Sequence, residues 1–173
     1  MANVLVTYAT RYGSTREVAE SVASVLRENG LQVSVESAAK VKKLDGFSAV
    51  VLGAPLYIGK LQKDAGRFLE RQGAALASKP LAIFTLGPVK SEDLAKPGVL
   101  AQMQKALEAF PGLKPLSTVM FGGKYDPATL RFPDSLLGKL PVSPLYKTPA
   151  SDARDWKAIK DWAQGLAKKL KAA

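Results

Sequence analysis

What most constrains this chain is a regular alternation of short β-branched runs with longer amphipathic ones. Asn3–Tyr8 (NVLVTY) is an apolar run that ends at a polar loop, and it reads as a buried strand. Ser14–Asn29 sets Val18, Val22, Val25 and Leu26 on one helical face. Ser14 and Glu17 have capping-box spacing, and Gly30 supplies the stop. Leu31–Ser37 alternates Val33 and Val35, and Phe47–Leu52 reads as another buried strand. The pattern then predicts a helix over Gln62–Ala77, with Ala65, Phe68, Leu69 and Leu76 inward. A strand at Pro80–Leu86, a helix at Val99–Phe110 and a fifth strand at Leu116–Phe121 follow. The last helix, Asp152–Lys171, carries Trp156, Ile159, Ala163, Leu166 and Leu170 on a stripe expected to dock on a sheet. Five strands alternating with helices imply a parallel sheet covered on both faces, with right-handed crossovers. The expected fold is a three-layer α/β sandwich in strand order 2-1-3-4-5, with residues 1–173 as one domain.

Composition removes whole classes of chemistry. The 173 residues include no cysteine and no histidine. Disulfide scaffolds, thiolate nucleophiles, cysteine-held metals and every Ser-His-Asp arrangement are therefore excluded. An enzyme built from this chain is expected to borrow its chemistry from a cofactor. Lys and Arg number 25 against 15 Asp and Glu, a net charge of +10 that favours acidic partners: phosphate or carboxylate ligands, or an anionic membrane surface. No basic run is interleaved with aromatics, so no nucleic acid partner is expected. The N-terminus lacks the pattern of a signal peptide. The most apolar stretches, Ala49–Ile58 and Leu81–Val89, fall far short of the ~20 residues that span a bilayer. The expectation is a cytoplasmic protein that touches a membrane surface without crossing it.

Three loops leave the carboxyl ends of strands one, three and four. The first, Thr10-Arg11-Tyr12-Gly13-Ser14-Thr15, places hydroxyls and a glycine between a strand end and a helix N-terminus. Backbone N–H groups, hydroxyls and the positive helix end then meet at one point, as a phosphate dianion requires. Arg11 either adds charge there or reaches solvent. The same residues would also serve as an ordinary strand–helix turn with a serine cap. Neither GxxxxGK[ST] nor GxGxxG occurs, so this is neither a nucleoside-triphosphate P-loop nor a dinucleotide fingerprint. The second loop is Gly53-Ala54-Pro55-Leu56-Tyr57-Ile58-Gly59-Lys60 and the third Thr85-Leu86-Gly87-Pro88-Val89-Lys90. In an open sheet of this order, ligands bind in the crevice where the strand order reverses. Leu56-Tyr57-Ile58 offers a flat apolar surface for a ring system, and the glycine-containing loops offer backbone groups for its edge.

The stretches VTYATRYGSTREVAE, VVLGAPLYIGKLQKDAGRFL and ARDWKAIKDWA resemble the flavodoxin-domain family across nearly the whole chain. More narrowly, they are similar to the flavodoxin-like menaquinone-dependent protoporphyrinogen oxidases of bacteria. The resemblance implies non-covalent FMN, with Thr10, Arg11, Tyr12, Gly13, Ser14 and Thr15 at its phosphate. It places Pro55, Leu56, Tyr57, Ile58 and Gly59 on one side of the ring, with Thr85, Leu86, Gly87 and Pro88 on the other. Tyr12 stands where ordinary flavodoxins more often have a small hydroxyl residue, and Leu56-Tyr57-Ile58 lacks an Arg-Tyr pair associated with the oxidase subfamily. The implied function is two-electron transfer from a reduced organic substrate, protoporphyrinogen IX foremost, to a quinone-type acceptor. The alternative is an FMN electron carrier whose partner is a redox protein. Carriers of this family are typically acidic, and +10 would repel their usual basic partners. Gly122–Ala150, with five prolines and several leucines, breaks the alternation; it either walls the substrate site or covers the sheet edge beside strand five.

Overall fold

The computed structural model describes residues 2–173. Along the chain run β1 (Asn3–Tyr8), α1 (Ser14–Glu28), β2 (Gln32–Ser37), β3 (Ala49–Tyr57), β4 (Lys60–Leu61) and α2 (Lys63–Leu76). Then come β5 (Leu81–Leu86), α3 (Val99–Glu108), β6 (Ser117–Phe121), β7 (Lys124–Tyr125), β8 (Ser151–Asp152) and α4 (Trp156–Ala172). The main sheet runs β2-β1-β3-β5-β6, all parallel, which is the expected 2-1-3-4-5 order of the five principal strands.

Strand alternation divides the core. Val4, Val6, Val51, Ala82 and Phe84 point to the layer formed by α1 and α4, where Val18, Val22, Leu26, Ile159 and Leu166 are buried. Leu5, Val50, Leu52 and Ile83 point the other way, against Ala65, Phe68, Leu69 and Leu76 of α2. All six residues of β5 are buried, as a central strand covered on both faces must be. The stripe of α4 holds at Ile159, Ala163, Leu166 and Leu170, but Trp156 is partly exposed at its margin. Trp162 replaces it at the sheet: its ring meets Phe84 and Phe121 edge-on at 6.0 Å, and Nε1 donates to Ser117 Oγ at 3.1 Å.

Two local expectations are corrected. The third strand does not stop at Leu52 but continues to Tyr57, with Gly53 beside Phe84 and Pro55 beside Leu86. It then folds back through a tight turn into β4, where Ile58 and Gly59 take φ of 50° and 70°. The capping box does not form either. Gly13, at φ 92°, is the cap of α1, a left-handed conformation that favours glycine. Glu17 instead reaches Arg154, whose Nη1 donates to its carboxylate at 2.6 Å.

Gly122–Ala150 becomes a flap over the carboxyl end of the sheet. Its base is the antiparallel pair β7–β8, and its arm winds through short 3₁₀ turns at Pro127–Thr129 and Asp134–Leu136. At the base the backbone presses on the loop after β5. A Cβ added to Gly123 would lie 2.6 Å from the Gly87 carbonyl oxygen.

Candidate functional site

The loop after β1 is built by its own hydrogen bonds. Ala9 N donates to Gly53 O at 2.9 Å, which ties the strand end to β3. Thr10 Oγ1 accepts from Gly13 N at 2.8 Å and closes the turn. The helix then starts at Ser14, so the amides of Ser14, Thr15 and Arg16 have no intrahelical acceptor and point out at the positive end of α1. Thr15 is fully buried, and its Oγ1 has no hydrogen-bond partner among the described residues. An orphaned hydroxyl beside free amides is a cost without a ligand and an asset with an anion.

Beside this loop lies a cleft of about 690 Å³, within the usual range of small-molecule sites. Pro55, Leu56, Tyr57 and Ile58 form one wall; Leu86, Gly87, Pro88 and Val89 form another. The flap supplies the roof, with Leu130, Asp134, Leu137, Pro144 and Leu145. A smaller cleft under the flap is lined by Tyr12, Ser14, Lys124, Tyr125, Asp126, Thr129 and Leu130, and shares four of these residues with the larger one. The Tyr57 phenol is held above its ordinary pKa, first by burial and then by the nearby Asp134 and Tyr12, with Arg11 opposing. It stays a neutral hydrogen-bond donor at neutral pH.

The sequence-predicted residues separate into distinct positions. Arg11, Tyr12, Pro55, Leu56, Tyr57, Ile58, Leu86, Gly87 and Pro88 line the main cleft, and Ser14 lines the smaller one. Thr10, Gly13 and Thr15 shape the loop at the start of α1 rather than its wall. Gly59 serves the β3–β4 turn. Thr85 does not reach the cleft: it is fully buried and its hydroxyl donates to Met103 Sδ at 3.3 Å. Lys90, at the end of the third loop, lines the cleft as well, and so do Lys124, Tyr125, Asp134 and the flap leucines, which lie outside the three loops. The one sequence signal for the flap residues is the apolar content of an otherwise proline-rich segment.

Comparison with known proteins decides the family. A flavodoxin domain model matches residues 5–144. The chain belongs to the flavodoxin-domain family. FMN is accordingly its cofactor, and the free amides, the orphaned Thr15 hydroxyl and the flat apolar cleft fit that molecule's phosphate and ring. This flavodoxin domain is similar to the Escherichia coli (strain K12) protoporphyrinogen IX dehydrogenase [quinone], 30% identical over 87 residues, which are 49% of this chain and 48% of that one. It is also similar to an NAD(P)H dehydrogenase (quinone) of Acidovorax ebreus (strain TPSY), 29% identical over 112 residues, covering 49% and 56% of the two chains. The matches thus span about half the length of these relatives. Among solved structures, the Streptococcus pneumonia TIGR4 flavodoxin superposes with a TM-score of 0.59 at 18% identity, covering 99% of both chains. That last likeness establishes the fold.

Proposed function

We propose that this domain is an FMN-dependent oxidoreductase that moves electrons in pairs from a reduced organic substrate to a quinone-type acceptor, with protoporphyrinogen IX the leading substrate. The observation that carries the proposal is the roofed, mainly apolar cleft beside the phosphate loop, too extensive for a phosphate site alone. Similarity to two quinone-linked dehydrogenases supports it. FMN, when bound, supplies the redox chemistry; the chain supplies position, polarity and exclusion of water. The amides of Ser14, Thr15 and Arg16, with the Thr15 hydroxyl, would hold the phosphate. Leu56, Tyr57, Leu86 and Pro88 would flank the ring. Lys90 and Lys124 at the cleft edge match a substrate that carries carboxylates. With no histidine in the chain, protons released by the substrate pass to solvent or to the acceptor, which takes up two with each electron pair.

The acceptor class suggests where the protein works. Ile58 is 100% exposed, Phe132 79% and Val142 93%, and Ile58 and the flap both frame the cleft mouth. Arg131, Lys139 and Lys147 lie in the same flap. Apolar tips among cations suit the interface of an anionic bilayer, where isoprenoid quinones reside. No helix among the described residues is long and apolar enough to cross a membrane. The proposed contact is peripheral and lies on the cytoplasmic face.

Anaerobic turnover of protoporphyrinogen IX with menaquinone, followed by the fluorescence of protoporphyrin, tests the reaction. Fully flavinated protein with no rate above background would remove this substrate. Electron exchange with a redox protein alone, and with neither small molecule, would make the domain a carrier. Cosedimentation with phosphatidylglycerol vesicles, lost in phosphatidylcholine vesicles or on Phe132→Ser with Val142→Ser, is the expected result for the membrane contact.

A further inference from the structure

One carboxylate fastens the flap to the phosphate loop. Asp134 Oδ2 accepts from Tyr12 Oη at 2.5 Å and lies 2.8 Å from Arg11 Nε. Tyr12 Oη in turn accepts from the Arg131 amide at 3.4 Å. These contacts join residues more than a hundred positions apart in the chain. The loop therefore has two working faces. Its inner face offers free amides and the Thr15 hydroxyl, while the side chains of Arg11 and Tyr12 are turned outward to the flap.

We propose that Asp134 is the positioning residue of a clasp that closes the flap over bound FMN and sets how fast the cofactor enters and leaves. The proposal rests on the assignment of the Thr10–Thr15 loop to the FMN phosphate. The flap is a self-bonded arm: Leu140 N donates to Leu136 O at 3.1 Å and Lys147 N to Gly138 O at 3.0 Å. It is anchored at its base by β7–β8, so it moves as a piece when its tip is released. The tip is held by a charge-assisted phenol–carboxylate bond, the stronger of the two side-chain ties. Arg11 is 49% exposed, and its ion pair adds less. A fastening of this kind is firm enough to bias closure and weak enough to open. Because Asp134 acts through Tyr12, its loss alters passage through the mouth more than the affinity of the inner face.

Stopped-flow mixing of apoprotein with FMN, followed by flavin fluorescence, reads the rates. Asp134→Ala is expected to raise association and dissociation together by about tenfold, with the Kd moved less than threefold. Asp134→Asn keeps an acceptor for the phenol and is expected to fall between. Tyr12→Phe should approach Asp134→Ala, and the double variant should fall well short of the sum of the two, as residues whose main interaction is shared require. Protease cleavage within 130–147 should rise in Asp134→Ala with FMN present. Parent-like rates in both Asp134 variants would overturn the clasp. So would a faster dissociation alone, mirrored in Kd, which would make Asp134 part of the binding face. Parent protein that binds FMN no better than riboflavin would overturn the phosphate assignment, and the clasp with it.

Discussion

Thr15 carries a cost that a bound anion would relieve. Its buried hydroxyl lacks a partner, so Thr15→Val removes an unsatisfied group while keeping the shape. The apoprotein is expected to gain roughly 1 kcal/mol in urea unfolding, and FMN to bind about tenfold more weakly while riboflavin binds unchanged. Isothermal titration with the two flavins checks the pair of effects. Ile58 carries a different cost. A β-branched residue at φ 50° is strained, and full exposure gives it no packing in return. Ile58→Asn, which tolerates that conformation, is expected to stabilise by about 1 kcal/mol on urea denaturation and to weaken vesicle binding. Neither feature is legible in the sequence. Thr15 is visible as a hydroxyl of the loop, but its lack of a partner is a property of the packed state. The strain at Ile58 follows from β3 running on through Gly53 and Pro55, two residues that read as loop because their strand pairing is tertiary.

At the scale of elements, the helices and buried strands were readable because each is long enough for its apolar period to repeat. Their joints were not. Ser14 and Glu17 have the spacing of a cap, yet Arg154 competes for Glu17 from 137 positions away and Gly13 takes the cap instead. The Arg154 side chain is 3% exposed; its Nε and Nη2 bond to Asp152 at 2.8 and 2.7 Å, and its Nη1 to Glu17 at 2.6 Å. Arg154→Met is expected to cost about 2 kcal/mol in urea unfolding, because two carboxylates and the start of α1 lose their donor together. The guanidinium also holds Asp152 below its ordinary pKa, chiefly through the side-chain hydrogen bond. A depressed carboxylate stabilises the fold above its unfolded pKa, and that contribution fades as pH falls through the folded value. The parent should therefore lose stability on acidification below about pH 4 more steeply than Arg154→Met, as pH-dependent thermal melts would show. The flap is the other joint that sequence left open. Its leucines mark it as ordered, but both a substrate wall and an edge cover would use leucines; the flap residues that line the cleft, with the contact of Asp134 to Arg11 and Tyr12, put it over the mouth.

For the molecule as a whole, cofactor and fold are linked. FMN binds the folded chain and not the unfolded one, so a concentration of one hundred times Kd adds ~2.7 kcal/mol. For a chain of this size the melting temperature should rise by roughly 5–10 °C with FMN and by less with riboflavin at the same concentration. Differential scanning calorimetry distinguishes the two. The +10 charge acts at the same scale: attraction to anionic vesicles should weaken steeply as ionic strength shortens the reach of each lysine.

The buried Arg154 has a consequence for how the fold closes. Its guanidinium donates to the Ser14 carbonyl oxygen and to Glu17, so the first turn of α1 is secured by a residue 140 and 137 positions further along the chain. A chain cut short of that arginine would still carry all five principal strands and α1 to α3. The loop at the start of α1 would nevertheless lack a brace. The order of that loop is thus coupled to the segment that leads into α4.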